Sequence, residues 1–527
     1  MMIKFRESME KYRGIWNENR GFCLTLFVVL FFGICWLAAH RAFWFYCAIY
    51  GGAFAGVLVL LCFCYRLIKT DRFQYHIMYP LIGLFLGIIY MINLPMYTVP
   101  DEYTHMQKAY HMSNSLLGVK DYEKDGKVYL MMREKDASME LKVEDFSIND
   151  FKDYLKETDA SGSEKMVKTS REVVSVETYP YIASSLGITL GRILHLSALK
   201  TFLLGRFFNL LLYVGIIAFA LWMIPFGKPV VFTVALLPMS LQEGMSYAYD
   251  SWIIAHSLLL LSLFLSLYVD LKIEKNKWFY IRLLLLTVVS LLFITIKSHG
   301  YMLLCTLVLF LYLRIFIQEK KVNDTIGFLI TLSYVGVVVG YGILFFVGLI
   351  KPDLFTYSEN ILEWSGTEGY TIGYLLHFPK EAIGVIYNTM VNQFEYYHRT
   401  MIGDLLGWLE KPMNSLVILG FDFVLIVSAL KEKNENETDS ILKKIFCWIT
   451  VFTFLLINVG MLISWSPIEV HQVVGLQGRY FLPVLAVILL AVPSKRVEVE
   501  EKVKSFVPVM VLVLQFFAIS GLMNLTL

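Results

Sequence analysis

The chain has 527 residues, 57% hydrophobic and 17% charged, with a mean hydropathy of +0.60 and a formal net charge of +2. That is too apolar for an ordinary soluble globular protein, and balanced charge without a patch of aromatics interleaved with Lys and Arg argues against a nucleic-acid partner. All seven cysteines fall in apolar segments, and only Cys62-x-Cys64 has metal-ligand spacing, so no disulfide framework is expected.

A basic N-terminal segment (Lys4, Arg6, Lys11, Arg13, Arg20) precedes the first apolar run with no small-residue cleavage site after it, which predicts a retained anchor with a cytoplasmic N-terminus. Apolar runs of about 18 or more residues, each able to cross roughly 30 Å of hydrocarbon as a helix, recur at Phe22–Ala39, Phe43–Cys64, Ile77–Leu94, Trp252–Val269, Phe328–Ile350 and Val507–Leu525. Alternate loops are the Lys/Arg-rich ones, which predicts an all-α transmembrane bundle of about 13 membrane helices in the cell membrane, with the C-terminus outside. Val230–Met239 is ambiguous, either a short span or a re-entrant segment.

The chain divides into an N-terminal segment with three spans (1–96), a long outer loop (97–200), central spans (201–350), a second long outer loop (351–414) and C-terminal spans (415–527). In the first loop the charged stretch Lys120–Arg171 has few large apolar residues and reads as a partly flexible insertion without a core. After it, Tyr181–Leu199 spaces Ile182, Leu186, Leu190, Ile193 and Leu194 around Arg192 and His195, as an amphipathic helix lying along the outer leaflet would. The second loop carries Trp364, Tyr370, Tyr374, Tyr387, Tyr396, Tyr397 and Trp408, a composition suited to the headgroup boundary.

Chemistry-bearing residues cluster at the predicted outer face. In Val99-Pro100-Asp101-Glu102-Tyr103-Thr104-His105-Met106-Gln107-Lys108, a helix opened by Pro100 would place Asp101, His105 and Lys108 on one face, with Glu102 beside His105. A carboxylate there can accept a proton from a hydroxyl or bind a divalent metal ion, and His105 can orient it. The plainer alternative makes Asp101 a helix N-cap and His105 a surface residue. In Pro238–Asp250, which includes Gln242, Glu243 and Tyr249, Asp250 is either functional or the cap of a helix starting at Ser251. Glu243 is a charge near a membrane end that needs a partner or a cavity. Arg206, Lys297 with His299 and Tyr301, and Arg479 within Gln477-Gly478-Arg479-Tyr480-Phe481 place cations at the outer leaflet, against the positive-inside bias. An anionic ligand explains them, a guanidinium being suited to phosphate; snorkelling to headgroups is the alternative. No Walker loop, zincin motif or Gly-x-Ser-x-Gly elbow is present, which argues against nucleotide-driven pumping and serine esterase chemistry.

Pro100-Asp101-Glu102-x-x-His105, Gly205-Arg206, Pro238-Met239 with Tyr249-Asp250, Lys297 with Tyr301, and Gln477-Gly478-Arg479-Tyr480-Phe481 together resemble the GT-C superfamily of membrane glycosyltransferases, in particular a bacterial multi-pass family of predicted GT-C members. The resemblance implies a GT-C-like bundle with amphipathic helices on two long extracytoplasmic loops. It also implies a polyprenyl-phosphate-linked sugar donor and a glycan, lipid or protein hydroxyl as acceptor. By the same resemblance Asp101 is the general base, Glu102 its partner or a metal ligand, and Arg479 with Lys297 holds the donor phosphate. Inversion at the anomeric carbon is typical of such enzymes, and their metal dependence varies. A transporter or flippase of a lipid-linked or anionic substrate is the competing reading, kept open by the Pro-bounded segment Pro229–Pro238. A non-catalytic assembly or sensor component is a third.

Overall fold

The computed structural model describes residues 75–138, 163–173, 176–271, 276–296, 300–318, 332, 334–336, 360–433, 439–493 and 497–526. The expected spans Phe22–Ala39 and Phe43–Cys64, nearly all of Phe328–Ile350, and Lys297 and His299 lie outside these residues.

The described chain is mostly helical. Among the described residues six stretches are long and apolar enough to cross a membrane: Tyr75–Asn93, Ala198–Met223, Asp250–Asp270, Lys277–Ile294, Ser440–Trp465 and Val503–Leu522. A multi-pass helical membrane protein follows, because each run of this length satisfies every backbone polar group internally. In chain order the principal helices are α1 (Tyr75–Asn93), α2 (Glu102–Leu116), α3 (Ile182–Ile193), α4 (Ala198–Met223), α5 (Lys228–Ala235), α6 (Pro238–Met245), α7 (Asp250–Asp270), α8 (Lys277–Thr295), α9 (Cys305–Gln318), α10 (Pro379–Ile402), α11 (Ser415–Ala429), α12 (Ser440–Trp465), α13 (Leu482–Leu489) and α14 (Val507–Thr526).

The ambiguous segment Val230–Met239 is neither a span nor a re-entrant loop by itself. It is divided between two short helices, α5 and α6, with a break at Leu236 and Leu237. Pro238 supplies no N–H, and Leu237 before it adopts an extended conformation, so the helix must open there. Every freed carbonyl is recovered: Val234 O accepts from Ser240 Oγ (2.7 Å), Ala235 O from Tyr213 OH (3.0 Å) and Leu236 O from Gln515 Nε2. Gln515 is in turn held by Tyr90 OH (2.8 Å to Oε1). Before α5, Gly227 abuts Leu490, and just after α6 the Tyr247 N–H reaches Glu102.

The charged stretch of the first loop has a core, contrary to expectation, and the fold is not wholly α-helical. Strands β1 (Tyr122–Lys124), β2 (Lys127–Arg133) and β3 (Met166–Glu172) form an antiparallel sheet in that order. Asp125 and Gly126, both at positive φ, make the two-residue hairpin turn that such a pair favours. Leu130 and Met132 alternate inward and are fully buried with Met106, Tyr110, Leu199 and Phe202. Arg133 ties the sheet to the α3–α4 turn through Asp136 (Nε–Oδ2 2.7 Å), Leu196 O (3.3 Å) and Thr201 Oγ1 (2.9 Å). Glu164, beside β3, bonds Lys135 and Arg133. Burial alone would raise its carboxyl, but these two cations outweigh that and hold it below its ordinary value.

The amphipathic expectation for Tyr181–Leu199 holds over α3 alone. The chain turns at His195 (φ 53°), and Leu199 is buried in α4. On α3, Ala183, Gly187 and Gly191 recur every fourth residue and let it lie close on α4; a methyl on Gly187 would stand 2.4 Å from Leu204 O. Its opposite face exposes Ile182, Leu186, Leu190, Ile193 and Leu194.

Two outcomes are expected. Gln515→Leu, which leaves Leu236 O unpaired in the bundle, lowers stability by about 1–3 kcal/mol, seen as a lower thermal midpoint in detergent; an unchanged midpoint would show the break is closed by other groups. Because the Glu164 carboxyl is depressed, its contribution is present above its unfolded-state value and lost as pH falls through the folded one. Hydrogen exchange at Met166–Glu172, corrected for intrinsic rate, should therefore accelerate as pH falls below about 4.5, and Glu164→Gln should abolish that acceleration.

Candidate active site

At one end of the bundle three carboxylates meet a single guanidinium. Arg479 sits in the 3₁₀ turn Gly478–Phe481 that leads into α13, and it is 2% exposed. Its Nη2 donates to Asp101 Oδ2 (2.9 Å), its Nη1 to Glu243 Oε1 (3.3 Å), and its Nε lies 3.7 Å from Asp250 Oδ2, an ion-pair distance. The Tyr480 ring lies under the guanidinium, 5.3 Å from its carbon. The turn is fixed from behind by α10: Gly478 N–H donates to Thr400 Oγ1 (3.0 Å), and a methyl on Gly478 would lie 2.0 Å from Tyr397 O. Tyr301 OH closes the other side on Tyr480 O (2.8 Å).

Asp101 is the carboxylate of this group that reaches solvent, with its side chain 57% exposed. Pro100 does not open the helix. α2 begins at Glu102, and Asp101 precedes it in the left-handed region (φ 62°, ψ 0°) with no side-chain cap bond. Asp101 therefore does not share a helix face with His105 and Lys108, and its carboxylate is not used as a cap. Such a conformation costs on the order of 1 kcal/mol for a non-glycine residue, and its persistence means the surroundings hold it. Asp250 is likewise no cap: α7 starts at Asp250 itself, and no side-chain cap bond forms.

Glu102 and Arg206 have been turned to each other, not to a ligand. Both are fully buried, and Glu102 accepts from Arg206 Nε (2.8 Å) and Nη2 (2.6 Å), Tyr97 N (3.0 Å) and Tyr247 N (3.3 Å). The remaining Arg206 donors reach Leu94 O (2.6 Å) and Pro95 O (2.9 Å). With four donors on its two oxygens, Glu102 is fully engaged within the protein. Among the described residues no group of three or more His, Cys, Asp or Glu is placed to hold a metal ion.

The other candidates divide similarly. His105 is buried, with Nδ1 2.7 Å from Tyr181 OH and its ring edge-on to Tyr249 at 4.7 Å. Gln242 is buried on α6, and its Oε1 accepts from Gly407 N (2.8 Å), which anchors the loop after α10. Gln477 leads into the arginine turn, its side-chain carbonyl oxygen buried without a hydrogen-bond partner among the described residues. Lys297 is outside the described residues. Thus Asp101, His105, Tyr249, Asp250, Tyr301, Gln477, Arg479 and Tyr480 belong to one neighbourhood, whereas Glu102 and Arg206 form its scaffold. Tyr181 and Thr400, not singled out from sequence, position His105 and the arginine turn; nothing local marks Thr400, since its partner is 78 residues away.

Breaking the scaffold pair tests its role. Arg206→Met should destabilise by about 3–5 kcal/mol by stranding the Glu102 charge, and Glu102→Gln added to it should recover part of that loss in a thermal-unfolding cycle; additive effects would contradict a paired clamp.

Comparison with curated proteins and with solved structures finds no match. Residues 84–488, most of the chain and all of the neighbourhood just described, match the family described as "Predicted membrane protein (DUF2142)". The chain belongs to this family of membrane proteins.

Proposed function

We propose that the protein is an extracytoplasmic glycosyltransferase of the GT-C type, moving a sugar from a polyprenyl-phosphate donor to a hydroxyl of a cell-surface glycan, lipid or protein. The observation that carries this reading is Asp101: a carboxylate open to solvent, held in a strained backbone conformation, oriented by a buried arginine and unused as a helix cap. Those are properties of a positioned general base. In the proposed step the acceptor hydroxyl gives its proton to Asp101 as its oxygen bonds to the anomeric carbon. The bond from that carbon to the donor phosphate oxygen breaks, and its electron pair leaves with the phosphate. Fixed cations stabilise that developing charge, a role assigned to Arg479 and Lys297. His105 packs on the rings of Tyr181 and Tyr249 in the same neighbourhood.

The interrupted α5–α6 segment favours the transporter alternative, since interrupted helices recur in transporters. Its carbonyls, however, are closed by Ser240, Tyr213 and Gln515 and so are not left to line an ion site.

Membranes carrying the wild-type chain should transfer radiolabelled sugar from the polyprenyl-phosphate pool to surface glycan, and Asp101→Asn should lower that transfer about 10²–10⁴-fold at equal protein level. Unchanged transfer, or Asp101-dependent movement of intact lipid-linked sugar across the bilayer without a new glycosidic bond, would replace this reading with the transporter one.

A further inference from the structure

Tyr181 stands where the 3₁₀ turn Tyr179–Tyr181 runs into α3, and the turn is anchored beside it by Tyr179 OH on Leu292 O of α8 (2.9 Å). Its phenol is 1% exposed, and among the described residues the only hydrogen-bond partner of its hydroxyl is His105 Nδ1 at 2.7 Å. His105 is held on two sides, stacked on the Tyr181 ring (centroids 5.7 Å apart, 27°) and edge-on to Tyr249 (4.7 Å, 76°), so packing resists a ring flip. One hydrogen lies between the oxygen and Nδ1. Burial, with the carboxylates of Asp250, Glu177 and Asp101 nearby, pushes the phenol well above its ordinary range, so the hydroxyl keeps its proton. A buried O–H left without an acceptor carries the full desolvation penalty, and Nδ1 is the acceptor within reach. Nδ1 therefore receives the hydrogen and cannot also carry one. The same three carboxylates would favour an imidazolium, but Arg479 faces Asp101 and Asp250, and Lys108 faces Glu177, which offsets them.

We infer that Tyr181 is a positioning residue that fixes His105 as a neutral imidazole with its proton on Nε2, which makes His105 a hydrogen-bond donor to an oxygen and not a base. A lone pair already taken by the Tyr181 hydroxyl cannot accept a proton from a ligand. His105 follows Asp101 by one helical turn, its N–H on Asp101 O (3.1 Å), and the two side chains are given opposite tasks: the carboxylate only accepts, and Nε2–H only donates. A hydroxyl, which can do both, is the ligand group complementary to that combination. In the transfer proposed above, this leaves Asp101 as the group of the two that can take the acceptor's proton. The tautomer itself does not rest on that reading, because it follows from the Tyr181 contact alone.

The test is nitrogen NMR of the full chain in lipid nanodiscs, with the histidine rings labelled and His105→Gln used to identify the His105 signals. Wild type at neutral pH should show an unprotonated, pyridine-type Nδ1 and a protonated, pyrrole-type Nε2. Tyr181→Phe, which keeps the ring and removes the hydroxyl, should replace that pattern with a tautomer mixture or an imidazolium. If Tyr181→Phe does not fold, fluorotyrosine in place of Tyr181, a stronger donor of nearly the same shape, should shift the Nδ1 signal of His105 and leave the other histidines unmoved. An imidazolium or a protonated Nδ1 in wild type would overturn the inference, as would a His105 signature that neither replacement changes.

Discussion

A guanidinium buried in an apolar bundle must be paired or the fold cannot keep it, and Arg479 meets that demand by collecting carboxylates from three separate parts of the chain. Asp101 comes from the loop after α1, Glu243 from α6 and Asp250 from the start of α7. One side chain therefore fixes the relative position of elements far apart in sequence. The exposed member of the set, Asp101, receives its orientation as a by-product of satisfying the buried charge.

The neighbouring residue shows how finely the backbone sorts these roles. Asp101 and Glu102 are adjacent carboxylates, yet the left-handed conformation at Asp101 sends one to the solvent-facing Arg479 cluster and the other into a closed clamp with Arg206. Two ion pairs thus stand side by side with different prospects. The Glu102–Arg206 pair has every polar atom occupied and acts as scaffold, while the Asp101–Arg479 pair retains an open carboxylate edge. The interrupted α5–α6 segment links to both, through Tyr247 N on Glu102 and through Glu243 on Arg479, which gives a physical reason for tolerating a helix break that costs Gln515, Tyr213 and Ser240 their freedom.

Much of this was legible in the sequence because its signals are local. Apolar runs of membrane length mark α1, α7 and α14, and Pro100–His105 and Gln477–Tyr480 were found as motifs whose residues the fold does bring together, 378 positions apart for Asp101 and Arg479. What escaped depended on context or on weak local cues. The sheet was hidden because Lys, Glu and Asp dominate the window around it, although the Asp125-Gly126 turn and the inward alternation of Leu130 and Met132 were present to be read. Glu102 and Arg206 read as ligand groups from sequence, which shows their charges but neither the four donors on Glu102 nor the acceptors around Arg206. Gln515 carries no local mark at all, since its function is to close a carbonyl 279 positions away.

The central claim is that this end of the bundle receives a polyprenyl-phosphate-linked substrate. Native mass spectrometry of the purified protein with polyprenyl phosphate, run on wild type and on Asp101→Asn beside a known lipid-phosphate binder, tests it most directly. The account predicts that both forms retain the lipid, because Asp101 acts on the acceptor and does not hold the donor. Failure of the wild type to retain it under conditions where the known binder does would contradict the account.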